Sequence, residues 1–147
     1  HLEWSDVEPA LEHWFDESPD AVTVSFFGGE PLIYWDLVKQ SIDKARELSR
    51  KHEKPVSFAV ATNATRMNDE IYDLFADCGM RVQVSIDGPA HVHDQQRGNG
   101  TFVKVREAID RLMTLPTVKC KTSTVITPVN VDRIDESLRF VWELGTV

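Results

Sequence analysis

The sequence predicts an α/β fold of parallel strands, each followed by a helix. Three observations predict it. Short β-branched and aromatic runs recur at Val22 to Phe27, Val56 to Ala61, Arg81 to Ile86 and Val118 to Ile126. Amphipathic helical stretches separate them, and Gly, Asn, Asp or Pro follows each run. Strand, long helix and strand again imply parallel pairing through right-handed crossovers rather than hairpins. The 147 residues suit one domain, expected to span 1–147.

Taken in order, Val7 to Phe15 reads as a helix ahead of the first strand. That strand stops at Gly28 and Gly29, and Pro31 opens the next helical stretch. From Ile33 to Lys51, Leu37, Val38, Ile42, Ala45 and Leu48 recur at helical spacing among charged residues, giving a one-sided helix. After the second strand, Asn68 is placed to cap a helix through about Asp77, closed by Gly79. The third strand runs into Asp87, Gly88 and Pro89, and residues up to Gly100 read as a polar loop. A helix from Thr101 to Leu115 then aligns Phe102, Val105, Ile109 and Leu112 on one face, and Pro116 ends it. In the fourth strand Cys120, Thr122, Thr124 and Ile126 alternate with Lys119, Lys121, Ser123 and Val125, and Asp132 to Leu144 closes the chain as a helix. Trp4, Trp14, Trp35 and Trp142 read as packing residues.

Sixteen Lys and Arg against 24 Asp and Glu leave a net charge of -8, which disfavours nucleic acid because no basic cluster offsets it. No apolar run approaches the roughly 20 residues that cross a bilayer, and no export leader is visible. A cytoplasmic protein without membrane association is expected. Cys78 and Cys120 are the only cysteines, and two thiolates without a C-x-x-C spacing make no metal or cluster site.

Residues that pack poorly gather where the strands end: Gly28, Gly29 and Glu30, then Asn63, then Asp87 and Gly88, then Pro128 and Asn130. In parallel α/β folds this edge holds the ligand site, because backbone N–H groups and helix N-termini face it. Paired glycines let a ligand approach the backbone, and Glu30 brings an acceptor suited to an ammonium group. The same residue types also make ordinary βα turns, so position alone leaves function and structure equally favoured.

With FFGGEPL, ATNAT and VSIDGPAHVHDQQRGNGTF in this order, each at a strand end, the chain resembles the radical S-adenosylmethionine (radical SAM) enzymes over about Val22 to Leu115. It is most similar to the peptide- and protein-modifying maturases that include the anaerobic sulfatase-maturating enzymes, whose segments are GGEP, TNG, and S-(I/L)-D-G-P with a following H-D-x-x-R and G-x-F. The resemblance implies a parallel partial (β/α)6 barrel, of which this chain carries about four strand-helix units. It also implies an iron–sulfur oxidoreductase that cleaves S-adenosylmethionine (AdoMet) at a [4Fe–4S] cluster to a 5′-deoxyadenosyl radical and takes hydrogen from a protein or peptide side chain.

By the same resemblance, Gly28, Gly29 and Glu30 contact the methionine amino group, Ser85 and Asp87 face the ribose and methionine end, and Asn63 lines the cavity. Arg97 pairs with the methionine carboxylate, with Arg106 a weaker candidate. Two departures stand out. Ala64 replaces the glycine of TNG, so a positive φ there is strained, and no C-x-x-x-C-x-x-C precedes Val22. The chain is therefore expected to be an inactive fragment without cluster ligands, self-associating through unpaired sheet edges. Two alternatives come from the residues themselves: a metal hydrolase using His91, His93, Asp94 and Asp87, and a non-catalytic protein-binding module.

Overall fold

A computed structural model describes residues 2–146. Helix α1 (Trp4–Glu17) leads into strand β1 (Val22–Phe26) and, after a 3-10 turn at Pro31–Tyr34, into α2 (Trp35–His52). Then come β2 (Val56–Thr62), α3 (Asp69–Cys78), β3 (Arg81–Ser85), α4 (Ala90–Arg97), α5 (Thr101–Met113), β4 (Lys119–Ser123) and α6 (Ile134–Glu143), the last preceded by a 3-10 turn at Val131–Arg133.

The strands lie in the order β1-β2-β3-β4, and every pair is parallel. Each crossover therefore steps one place in the same direction, and connections of one hand put the helices on one face. A doubly wound sheet would reverse its order and cover both faces. The side chains agree. Val22, Val24, Phe58, Val60, Val82, Val84 and Cys120 are buried in a core with Phe15 of α1, Ile42 and Leu48 of α2, Phe75 of α3 and Ile109 and Leu112 of α5. Their neighbours Thr23, Ser25, Ser57, Ala59, Ala61, Arg81, Gln83, Lys119 and Lys121 turn to the other face, and none is buried. Parallel sheets are ordinarily covered on both faces. This one has the form of a barrel-wall segment, with helices outside and a polar lumen face inside.

Four expectations need correction. The supposed polar loop before Gly100 contains α4, whose start is held by Val92 and His93 N–H groups donating to the Pro89 carbonyl, and which buries only Val92 and His93. With so little apolar surface it leaves no helical period to read. The fourth strand ends at Ser123 instead of Ile126, because the Val125 N–H donates to the Asp87 carboxylate and leaves the ladder. The long helix after the first strand begins at Trp35, with Pro31–Tyr34 wound as a 3-10 turn. Of the four tryptophans, Trp35 packs against Phe75 at 6.3 Å, whereas Trp14 is 51% and Trp142 87% exposed.

Candidate active site

Parallel register brings every strand's C-terminal end to one edge, so the β1, β2, β3 and β4 turns converge there. Two of these turns use the same device, a carboxylate that reaches sideways to hold the end of the neighbouring strand.

After β1, Glu30 accepts the Leu32 N–H at 3.2 Å and the Thr62 hydroxyl at 2.7 Å on Oε1, and the Asn63 N–H at 2.7 Å on Oε2. The first bond caps the 3-10 turn, and the other two tie β1 to the end of β2. Among the described residues no cation pairs with Glu30, which is half-buried. Gly28 has φ 125°, a conformation that favours glycine. A Cβ built on Gly28 or Gly29 would meet nothing within 4 Å, so the backbone here is open to an approaching group. The turn also borders an apolar hollow of about 560 Å³ between α1, the free edge of β1 and α2.

After β3, Asp87 is 0% exposed and its carboxylate is saturated. Oδ1 accepts from Arg97 Nη2 at 3.0 Å and Val125 N–H at 2.9 Å, and Oδ2 from Arg97 Nε at 2.5 Å and Gln96 Nε2 at 2.9 Å. The two-point guanidinium contact neutralises the charge and fixes its direction. Gln96 also donates to the Val125 carbonyl at 2.9 Å and accepts the Thr127 hydroxyl at 2.7 Å, linking α4 to the loop after β4. Gly88 has φ 143° and lies so close to α6 that an added Cβ would sit 2.5 Å from Ser137 Oγ, leaving room for glycine alone.

The H-D-x-x-R residues brace this turn. His93 is 0% exposed, and its Nδ1 accepts the Asp87 N–H at 3.3 Å. Burial pushes its pKa below the ordinary 6.5, so the ring is held neutral. Asp94 accepts the Phe102 N–H at 2.8 Å and the Gly100 N–H at 2.9 Å, capping α5, and these bonds hold its carboxyl below the usual range.

These positions bear on several expectations. Asp87, expected to face the ribose and methionine end, is buried here with four donors on its carboxylate. Arg97, expected to pair with the methionine carboxylate, holds Asp87 and keeps its side chain 25% exposed. Arg106 pairs with Asp110 one turn along α5, at 2.9 Å on an exposed face. The hydrolase arrangement does not form: His91 pairs with Glu136 at 3.2 Å, His93 braces Asp87, Asp94 caps α5, and no metal-binding group occurs among the described residues.

Asn63 stays at the edge, its side-chain oxygen accepting from the Thr65 N–H and hydroxyl. Ser85 ends β3 on the lumen face, opposite Ser123. Neither of the two principal hollows joins Gly29, Ser85 and Arg97. Thr62 and Gln96 were missed by sequence reasoning. Thr62 had a signal, a hydroxyl breaking the apolar series Phe58, Val60; Gln96 had none, since only the fold brings it to Asp87.

The sequence pattern of the radical SAM superfamily matches residues 2–141. The chain belongs to this superfamily. It is 34% identical over 118 residues to mycofactocin maturase MftC of Mycolicibacterium smegmatis, covering 77% of this chain and 28% of that protein. It is 32% identical over 117 residues to the serine-type anaerobic sulfatase-maturating enzyme of Bacteroides thetaiotaomicron, covering 69% of this chain and 27% of that enzyme. The structure of native anSMEcpe with bound AdoMet and the Kp18Cys peptide superposes with a TM-score of 0.87 at 19% identity, over 98% of this chain and 41% of that one. The expected fold class, four strand-helix units of a parallel radical SAM barrel, is therefore correct. The chain spans less than half the length of each of these relatives.

Proposed function

We propose that this chain is the AdoMet-positioning part of a radical SAM oxidoreductase, a maturase acting on a protein or peptide side chain, with residues 1–147 as a single partial barrel domain. The observation that carries the reading is the partly exposed Glu30 carboxylate, without a cationic partner among the described residues, beside the open backbone of Gly28 and Gly29. An ammonium group supplies what Glu30 lacks, and the methionine end of AdoMet carries one. Asn63 follows β2 and Ser85 ends β3 at the same edge, and the proposal assigns both to contact with AdoMet. Bound AdoMet with a reduced [4Fe–4S] cluster would supply hydrogen abstraction; Glu30 and the Gly28 and Gly29 backbone would hold and orient the methionine end.

Cys78 and Cys120 do not suit that cluster. Cys78 ends α3 and Cys120 lies in the helix-facing core, and burial pushes both thiols up to about 11. Support for a peptide substrate comes from the maturase names of the relatives and the peptide bound to the solved neighbour.

Self-association belongs to the same proposal. In the described sheet β1 and β4 are edges, and Val131, Ile134, Leu138 and Trp142 form an exposed apolar stripe along α6 and the turn before it. A cytoplasmic location is part of the reading as well; no helix among the described residues is long and apolar enough to cross a membrane.

Titration of the isotope-labelled chain with AdoMet tests the reading. Amide shifts centred on Gly28, Gly29, Glu30 and Asn63 are expected. Absence of saturable shifts, or shifts confined to α4 and Asp87, would overturn it.

A further inference from the structure

The lumen face carries a second pattern, away from the AdoMet edge. Arg81 on β3 lies in register with Lys119 on β4, and Gln83 with Lys121, so three cations share one wall. Like charges side by side on neighbouring strands oppose one another. On the strand positions facing the lumen there is no carboxylate to relieve them, in a chain whose net charge is -8.

On the same face the neighbouring strands carry small residues, Ser25, Ala59 and Ala61, with Ala59 in register with Arg81, and over this face lies a hollow of about 480 Å³ that Phe27 also borders. A barrel that fills its own interior uses bulky branched side chains. This one leaves room, small and apolar toward β1 and β2 and cationic toward β3 and β4.

We propose that Arg81, Lys119 and Lys121 form a binding site for the carboxylates of an extended acidic peptide segment. The proposal rests on the reading above, that the barrel accepts a peptide, and adds the class of peptide. Lys119 and Lys121 are two residues apart on one strand, a separation of about 7 Å that matches alternate side chains of an extended peptide. From Arg81 to Ser85 at the site edge is about 13 Å of strand, so the acidic residues lie about four positions from the residue presented for modification. Charge complementarity selects this occupant: the wall has donors and positive charge without acceptor carboxylates, and its small-residue floor admits an extended backbone.

Fluorescence anisotropy at low ionic strength tests the assignment, using a labelled Gly/Ser peptide with two glutamates in alternate positions and its glutamine counterpart. The glutamate peptide is expected to bind about fivefold more tightly to the chain, the scale of two partly exposed charge pairs. The preference disappears in a Lys119→Gln, Lys121→Gln variant and survives in Lys119→Arg, Lys121→Arg; both positions are exposed, so folding is preserved.

Equal or absent binding of the two peptides, or a preference that survives the glutamine variant, overturns the proposal. A preference seen in this chain but lost in a longer form of the protein also overturns it, showing that the protein's own acidic residues cover the wall. AdoMet titration of the same variants separates the two readings. Unchanged AdoMet binding with no glutamate preference condemns only the peptide site, whereas loss of AdoMet binding in the unsubstituted chain condemns the AdoMet reading.

Discussion

The turn after β1 and the turn after β3 solve one problem with one chemical group and end in opposite states. Each places a carboxylate where it accepts a backbone N–H just beyond the neighbouring strand, Asn63 for Glu30 and Val125 for Asp87. Asp87 is then closed over by Arg97 and Gln96 until nothing of it is exposed. Among the described residues Glu30 gains only neutral donors, and it stays partly open beside two glycines. A carboxylate closed over by its own guanidinium is a structural clamp; the partly open Glu30 is the one we propose as the ligand contact. Motif reading treats GGE and S-I-D-G-P as similar ligand contacts, and the geometry separates them.

The comparison breaks most visibly at Asp87. Replacing Asp87 by Ala strands a partly buried guanidinium and the Val125 N–H, and the expected loss is about 3–5 kcal/mol in denaturant unfolding. A loss below about 1 kcal/mol would show that the turn is not held by this pair.

Glu30→Gln is expected to behave differently. It keeps one acceptor and loses charge-assisted bonds, costing about 1–2 kcal/mol of stability. Its larger signature is functional, a loss of about tenfold in AdoMet affinity, the equivalent of about 1.4 kcal/mol. If Asp87→Asn lowered AdoMet affinity more than Glu30→Gln while remaining folded, the roles of the two turns would be reversed.

Acid sharpens the contrast, because the β3 turn depends on a neutral His93. Its folded pKa is lowered, so below the ordinary 6.5 the unfolded chain takes up the proton first and folding weakens as pH falls. The slope from this one group is at most about 1.4 kcal/mol per pH unit and ends once pH passes the folded pKa. Asp94 acts in the same direction at lower pH: its folded pKa lies below the ordinary 3.8, so its contribution is full above that value and is lost as pH falls through the folded pKa. Stability curves of the chain and of His93→Gln should differ in slope just below pH 6.5, and identical slopes would remove His93 from the account.

The smallest effect concerns the turn after β2. Ala64 takes φ 54°, and its N–H donates to Thr62 Oγ1 at 2.9 Å. Glycine relieves the positive φ but loses a buried methyl group, so Ala64→Gly should change stability by less than about 1 kcal/mol, measured by thermal melting.

Much of this was legible in the sequence. The strand runs, the Asn68 cap and the Gly79 closure fix the parallel architecture, and the Asn68 side chain does accept the Ile71 N–H at 3.0 Å. The strain expected at Ala64 is present as a positive φ. The partner of each charge was not legible. Asp87 and Arg97 are ten residues apart, and only the winding of α4, a helix without apolar period, brings them together. The lumen cations could be read as alternation around Cys120, but their register with Arg81 required the sheet.

The central claim is that Glu30, which has no cationic partner among the described residues, receives the ammonium group of AdoMet. A binding cycle tests it directly: AdoMet and its desamino analogue, each titrated calorimetrically into the chain and into Glu30→Gln. The account predicts that removing the amino group weakens binding to the unsubstituted chain by about tenfold and changes little in Glu30→Gln, a coupling of about 1.4 kcal/mol. Equal losses in both proteins would contradict it, placing the ammonium group elsewhere.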